Sequence, residues 1–152
     1  MPAHHVLRKS VLIEAPAQAV WTSLTTPRLI QRWMWDAPLE ITCDWRPGAP
    51  LTIRGDFHGV PFTNKGTILA WDPARLLRYT QWSTLTECTD EPDNYCILTF
   101  QLEQAGGQTV LTLIQTNFVS ETSFKHYELY WNSTLLLMKR VIEESTPAPD
   151  AM

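Results

Sequence analysis

No stretch of this 152-residue chain is apolar for long enough to span a membrane. Its first residues, MPAHHVLRKS, lack the apolar core of a secretory leader. Membrane insertion is therefore not expected, and the cytoplasm is the expected location. Basic residues are also scarce: 12 Lys and Arg against 16 Asp and Glu leave a net charge of −4. With no basic stripe, the chain is a poor match for a nucleic-acid backbone. Only three cysteines occur, Cys43, Cys88 and Cys96, and their spacing is not that of a metal site. Reduced thiols are expected, with Cys88–Cys96 the one bridge left open. Phosphate-binding glycine loops, zinc-spaced Cys or His pairs and nucleophile elbows are all missing, so no metal or cofactor is expected. The acidic run TECTDEPDN (Glu87, Asp90, Glu91, Asp93) lacks the ordered spacing of a calcium loop and reads as a solvated loop.

What the chain does have is apolar surface. Its hydrophobic fraction is 44% and it carries seven tryptophans, which points to large concave or flat apolar surfaces rather than a minimal core. One domain is expected over residues 5–144, with flexible termini at 1–4 and 145–152. HVLRKSVLIEA alternates as a strand. Pro16 and the Thr26-Pro27 pair then open two short helices, with Thr26 as an N-cap. From Pro38 to Asn117 six alternating stretches separated by turns (RPGAP, His58-Gly59, Asp72-Pro73, Gly106-Gly107) predict an antiparallel meander with one wet face. The last segment, FKHYELYWNSTLLLMKRVIEE, has neither proline nor glycine and predicts one long helix capped by Ser120. About 24 residues at 1.5 Å each reach roughly 36 Å, enough to cross a curled sheet. A single helix cannot fill that concavity, so a cavity between helix and sheet is expected.

This order carries a resemblance. IEAPAQAVWTSLTTPRLIQRWM, the mid-chain GTILAWDPARLL, and His126, Trp131, Leu135 and Met138 along the last helix are similar to the START-like (SRPBCC, helix-grip) superfamily. Within it, the chain resembles the group named after the C-terminal domain of the heat-shock-protein-90 ATPase activator, over about residues 6 to 144. The resemblance implies an α+β helix-grip fold, a curved antiparallel sheet of about seven strands around a long C-terminal helix. It also implies a binder of lipid-, sterol- or polyketide-like molecules, with cyclases a minority. Tyr130 stands where relatives commonly carry glycine, and Gly48-Ala49-Pro50 replaces a Gly-Gly pair. The activator's separate N-terminal domain has no counterpart here, so direct stimulation of a chaperone ATPase is not expected.

Stepping about 100° per residue places Phe124, Tyr127, Glu128, Trp131, Leu135, Met138 and Ile142 on the sheet-facing side of the helix. The opposite side carries Leu129, Tyr130, Leu136 and Leu137, a patch that suggests a homodimer. Candidate aromatic pocket residues are Trp33, Trp35, Phe57, Phe62, Trp82, Phe118, Tyr127 and Trp131. Asn64, Gln115 and Glu128 are candidates to orient a polar end of a small apolar ligand. Glu128 is the weak candidate for acid–base catalysis, should the chain be a cyclase or hydrolase rather than a binder. Without burial it would reach solvent or pair with Arg54 or Arg78. Asp56 and His58 read as lying on the outer face, and His126 as turned away from the Trp131 face. A protein-interaction module using the helix patch is the third reading.

Overall fold

In LRKSVLI, LTIRGDF and LLRYTQWS most of the apolar residues recur at every second position, which favours a strand with one buried face. The structure, a computed structural model describing residues 5–145, forms seven strands from such stretches. They are β1 (Leu7–Ile13), β2 (Glu40–Cys43), β3 (Pro50–Phe57), β4 (Val60–Asp72), β5 (Leu76–Ser83), β6 (Cys96–Ala105) and β7 (Gln108–Thr116). Helices α1 (Ala17–Thr25) and α2 (Pro27–Met34) lie between β1 and β2, and α3 (Glu121–Ser145) follows β7. All strand pairings are antiparallel, in the order β1-β7-β6-β5-β4-β3-β2. This is the helix-grip arrangement: a meander closed at one side by β1, folded around a long helix.

The helix is held along one stripe. Trp131, Thr134, Leu135, Met138 and Ile142 are its buried residues. They pack with Ile13, Phe100, Leu111 and Leu113 of the sheet and Val20 and Trp33 of the short helices in one core. Ser120 caps α3 as the sequence predicts, its Oγ accepting from the Ser123 N–H at 3.1 Å. Thr26 occupies the N-cap of α2 but makes no side-chain capping bond. Pro27 sits at the first helical position, where its missing N–H costs no intrahelical bond, and the Thr26 carbonyl accepts from the Leu29 and Ile30 N–H groups at 2.9 Å.

The last helix includes Ser145, which the sequence reading assigns to the terminus. Ser145 is the last residue of α3, where its hydroxyl donates to the Val141 carbonyl and accepts from Arg32, both at 2.8 Å. The expectations for residues 1–4, His4 included, and for 146–152 lie outside the described residues. His5 is described: its ring stacks on Phe124 at 4.2 Å. All three cysteines are free thiols, so no Cys88–Cys96 bridge forms. Asp90 of the acidic loop pairs with Lys65 and accepts from the Tyr95 hydroxyl, while Glu91 accepts from Thr89. No helix among the described residues is long and apolar enough to cross a membrane.

Candidate functional site

A cavity of about 140 Å³ lies between the N-terminal half of α3 and the concave face of the sheet. Strand parity builds its floor. Ile53 pairs with Asn64 and Asn64 with Ser83, so these three form one inward row across β3, β4 and β5. Phe62, two residues before Asn64, shares its face, and Tyr79 and Gln81 share that of Ser83; Leu98 adds the β6 contribution. The helix supplies His126, Tyr127, Tyr130 and Trp131. At the mouth stand Met34, Trp35, Leu39, Phe57 and Leu85. Larger depressions of about 430 and 650 Å³ are more open clefts, with charged side chains such as Lys65, Asp90, Asp72, Arg75 and Glu103 in their linings.

The mouth is an aromatic flap. Trp35 stacks on Phe57 at 5.5 Å and donates its Nε1–H to the Asp56 carbonyl at 3.0 Å. His58 meets the edges of both rings from the β3–β4 turn, outside the cavity. Asp56, near the end of β3, accepts from the Gly59 N–H of that turn at 2.8 Å. One turn of helix further in, Tyr130 donates its hydroxyl to the Met34 carbonyl at 2.6 Å, tying α3 to the end of α2.

The chemistry inside is neutral. Burial pushes the phenol pKa values of Tyr79, Tyr127 and Tyr130 well above the ordinary range, so all three stay protonated. Tyr127 accepts from the Gln81 Nε2 at 3.3 Å. Asn64 Oδ1 is buried and has no hydrogen-bond partner among the described residues. Among the described residues, neither aspartate, glutamate, lysine nor arginine lines the cavity.

Of the residues singled out from sequence, Trp35, Phe57, Phe62, Asn64, Tyr127 and Trp131 line this cavity. Trp33 sits beneath it, 6.4 Å from Trp131, with its Nε1–H given to the Ser23 carbonyl. Gln115 is fully buried and spent in the core. It accepts from Trp131 Nε1 at 2.9 Å and donates to Cys96 Sγ at 3.3 Å, beside a thiol that burial pushes up to about 11. Phe118 lies behind the wall, edge-on to Phe124. Trp82 is on the outer face, opposite Lys65, with its N–H on the Cys88 carbonyl. Glu128 is half-buried beside α3, away from the cavity, and in no ion pair among the described residues. Its expected partners are taken: Arg54 pairs with Glu40 at 3.7 Å and Arg78 donates to Thr99 at 2.9 Å.

Among the lining residues that the sequence reading does not single out are Gln81, Ser83 and His126. Gln81 and Ser83 share parity with Leu77 and Tyr79, which fixes them inward. The size of Trp82 masks that signal. His126 is a turn above Tyr130 on the helix flank, so it meets the cavity although it does not face the sheet. The outer patch also shrinks. Tyr130 and Leu137 pack against the core, leaving Leu129 and Leu136 exposed at 72% and 63%.

The comparisons agree with this architecture. A solution structure from Cytophaga hutchinsonii superposes with a TM-score of 0.80 at 30% identity, covering 95% of this chain and 98% of that one. The Aha1 dimer from Colwellia psychrerythraea gives 0.72 at 19% identity over 94% and 99%. A protein of the dynemicin biosynthetic locus gives 0.72 at 18%, covering 96% of this chain and 50% of its own. No curated protein sequence matches. Residues 14–143 match the family described as Activator of Hsp90 ATPase homolog 1-like protein, and the chain belongs to that family.

Proposed function

We propose that the chain binds a small, mainly apolar molecule in the cavity between the sheet and α3. The observation that carries this reading is the cavity itself: a space of about 140 Å³ walled by aromatic rings, with a few polar groups set in its floor. Size narrows the lipid-, sterol- or polyketide-like class suggested by the family. An apolar cavity of about 150 Å³ in another protein takes up benzene. One ring or a short chain end fits within these walls, and a fused-ring skeleton would have to open the Trp35–Phe57 flap.

Catalysis is the weaker reading. A cyclase or hydrolase working through an acid–base carboxylate needs one within reach of the substrate, and Glu128 lies outside the cavity. Among the described residues His126 is the one imidazole on the wall, and it is exposed at the mouth. A cytoplasmic setting without membrane insertion is part of the proposal.

Native mass spectrometry of the purified protein, followed by denaturing extraction, tests binding. A co-purified molecule of one-ring size is expected. An empty protein whose tryptophan emission responds to no small aromatic compound would overturn the reading. Self-association is a second, smaller proposal, motivated by Leu129 and Leu136 on the outer face of α3 and by the dimer of the Colwellia relative. Sedimentation over a hundredfold concentration range decides it, and a constant monomer mass removes it.

A further inference from the structure

We infer that the ligand is a neutral, hydroxyl-bearing molecule about the size of one substituted aromatic ring, and that Asn64 selects the hydroxyl. The inference rests on the binding reading above and adds the ligand's chemical class to it. Three observations converge on it.

The first is charge. With no Lys, Arg, Asp or Glu among the described residues of the lining, a carboxylate or phosphate would enter without a counter-charge, and a cation would find no carboxylate. Burying either is heavily penalised in an apolar site. His126 stands only at the exposed mouth.

The second is an unmet hydrogen bond. Asn64 Oδ1 is buried on the cavity floor without a partner among the described residues, whereas the large majority of buried polar atoms are hydrogen-bonded, so it is a ready acceptor for a ligand. A ligand that donates here supplies the missing hydrogen bond. A purely apolar one would leave the amide oxygen buried and unmet. A hydroxyl can donate and accept, so it satisfies a carboxamide in either orientation. Across the cavity, Tyr127 accepts from Gln81, and among the described residues its own O–H is donated to no other group. The hydroxyl oxygen of a ligand is a natural acceptor for it.

The third is shape. Phe62, Tyr79 and Trp131 present aromatic surface to the space, and flat rings gain from offset or edge-on contact with such walls. A volume of about 140 Å³ leaves room for one ring and a small substituent.

The test compares p-cresol, toluene and benzoate at pH 7.5, matched in ring size but differing in polarity and charge. Affinities are read by amide chemical-shift titration. Expected is at least about tenfold tighter binding of p-cresol than toluene, with benzoate weakest. Asn64→Ala should bring p-cresol and toluene within about threefold of each other while toluene still binds. Asn64→Leu, which keeps the side-chain volume, serves as the second variant, and thermal melts verify that both fold. Equal binding of toluene and p-cresol by the natural chain overturns the inference and leaves the cavity reading intact. So does preference for benzoate, or a hydroxyl preference that survives both substitutions. Failure of all three probes to bind overturns the cavity reading, and this inference with it.

Discussion

Trp131 is anchored twice: its indole N–H is bonded to buried Gln115, and its ring packs between Phe100, Tyr130 and Trp33. One edge still reaches the cavity. Trp131→Phe would keep most of the apolar contact but leave the Gln115 carbonyl oxygen without its donor. The expected loss is about 1–3 kcal/mol, read by urea denaturation. Gln115→Leu in the same background should return part of it, since no acceptor then remains stranded. A double-mutant cycle with strictly additive losses would show that the bond does not couple the two residues. The sequence shows Trp131 as a core-facing aromatic, because its helical spacing with Leu135 and Met138 is unambiguous. It does not show Gln115 as its partner. That pairing joins residues 16 apart across two elements, and no local period encodes it. Trp82 illustrates the converse: bulk suggests the pocket, while parity with Lys65 puts the ring outside.

At the scale of elements, β4 and β5 come unusually close where Gly66 faces Thr80. A methyl group built on Gly66 would lie 1.6 Å from the Thr80 carbonyl oxygen, which is backbone and cannot rotate away. Here the Thr67 N–H donates to the Thr80 hydroxyl at 3.0 Å. Gly66→Ala should therefore separate the strands and cost at least about 2–3 kcal/mol. An unchanged denaturation midpoint would refute that close approach. Another link between elements is ionic. The Glu143 carboxylate of α3 accepts from the Glu14 N–H just past β1 at 2.7 Å and from Lys139 at 2.5 Å. Burial pushes its pKa up, but these bonds outweigh burial and hold it below the usual carboxylate range. A depressed folded value means the stabilisation is complete above the unfolded pKa, near about 4.3, and is lost as pH falls through the folded value. Glu143→Gln should thus destabilise by about 1 kcal/mol at pH 7, with the gap closing on acidification. A gap independent of pH would assign the loss to packing. Strand and helix limits are largely legible because alternation and the absence of glycine and proline mark them. The Glu14–Glu143 clasp is not, since it joins residues 129 apart.

For the whole molecule, the cavity is a cost that a ligand can offset. A twisted seven-stranded sheet around one helix implies a hollow, and that much follows from element order alone. Its volume and polarity do not, because they depend on which side chains meet across the gap: Tyr127 and Trp131 from the helix, Asn64 and Gln81 from the sheet. Linkage makes occupancy measurable as stability. A ligand at a hundred times its dissociation constant should add about 2.7 kcal/mol and raise the melting temperature progressively with concentration. Leu98 is 1% exposed and reaches this space from β6. Leu98→Phe should project its larger ring into the void, changing unliganded stability by no more than about 1–3 kcal/mol. The ligand-induced rise should disappear in that variant. If Leu98→Phe melts as the natural chain does and still gains from ligand, binding occurs elsewhere on the surface, and the space between sheet and helix is merely a packing defect.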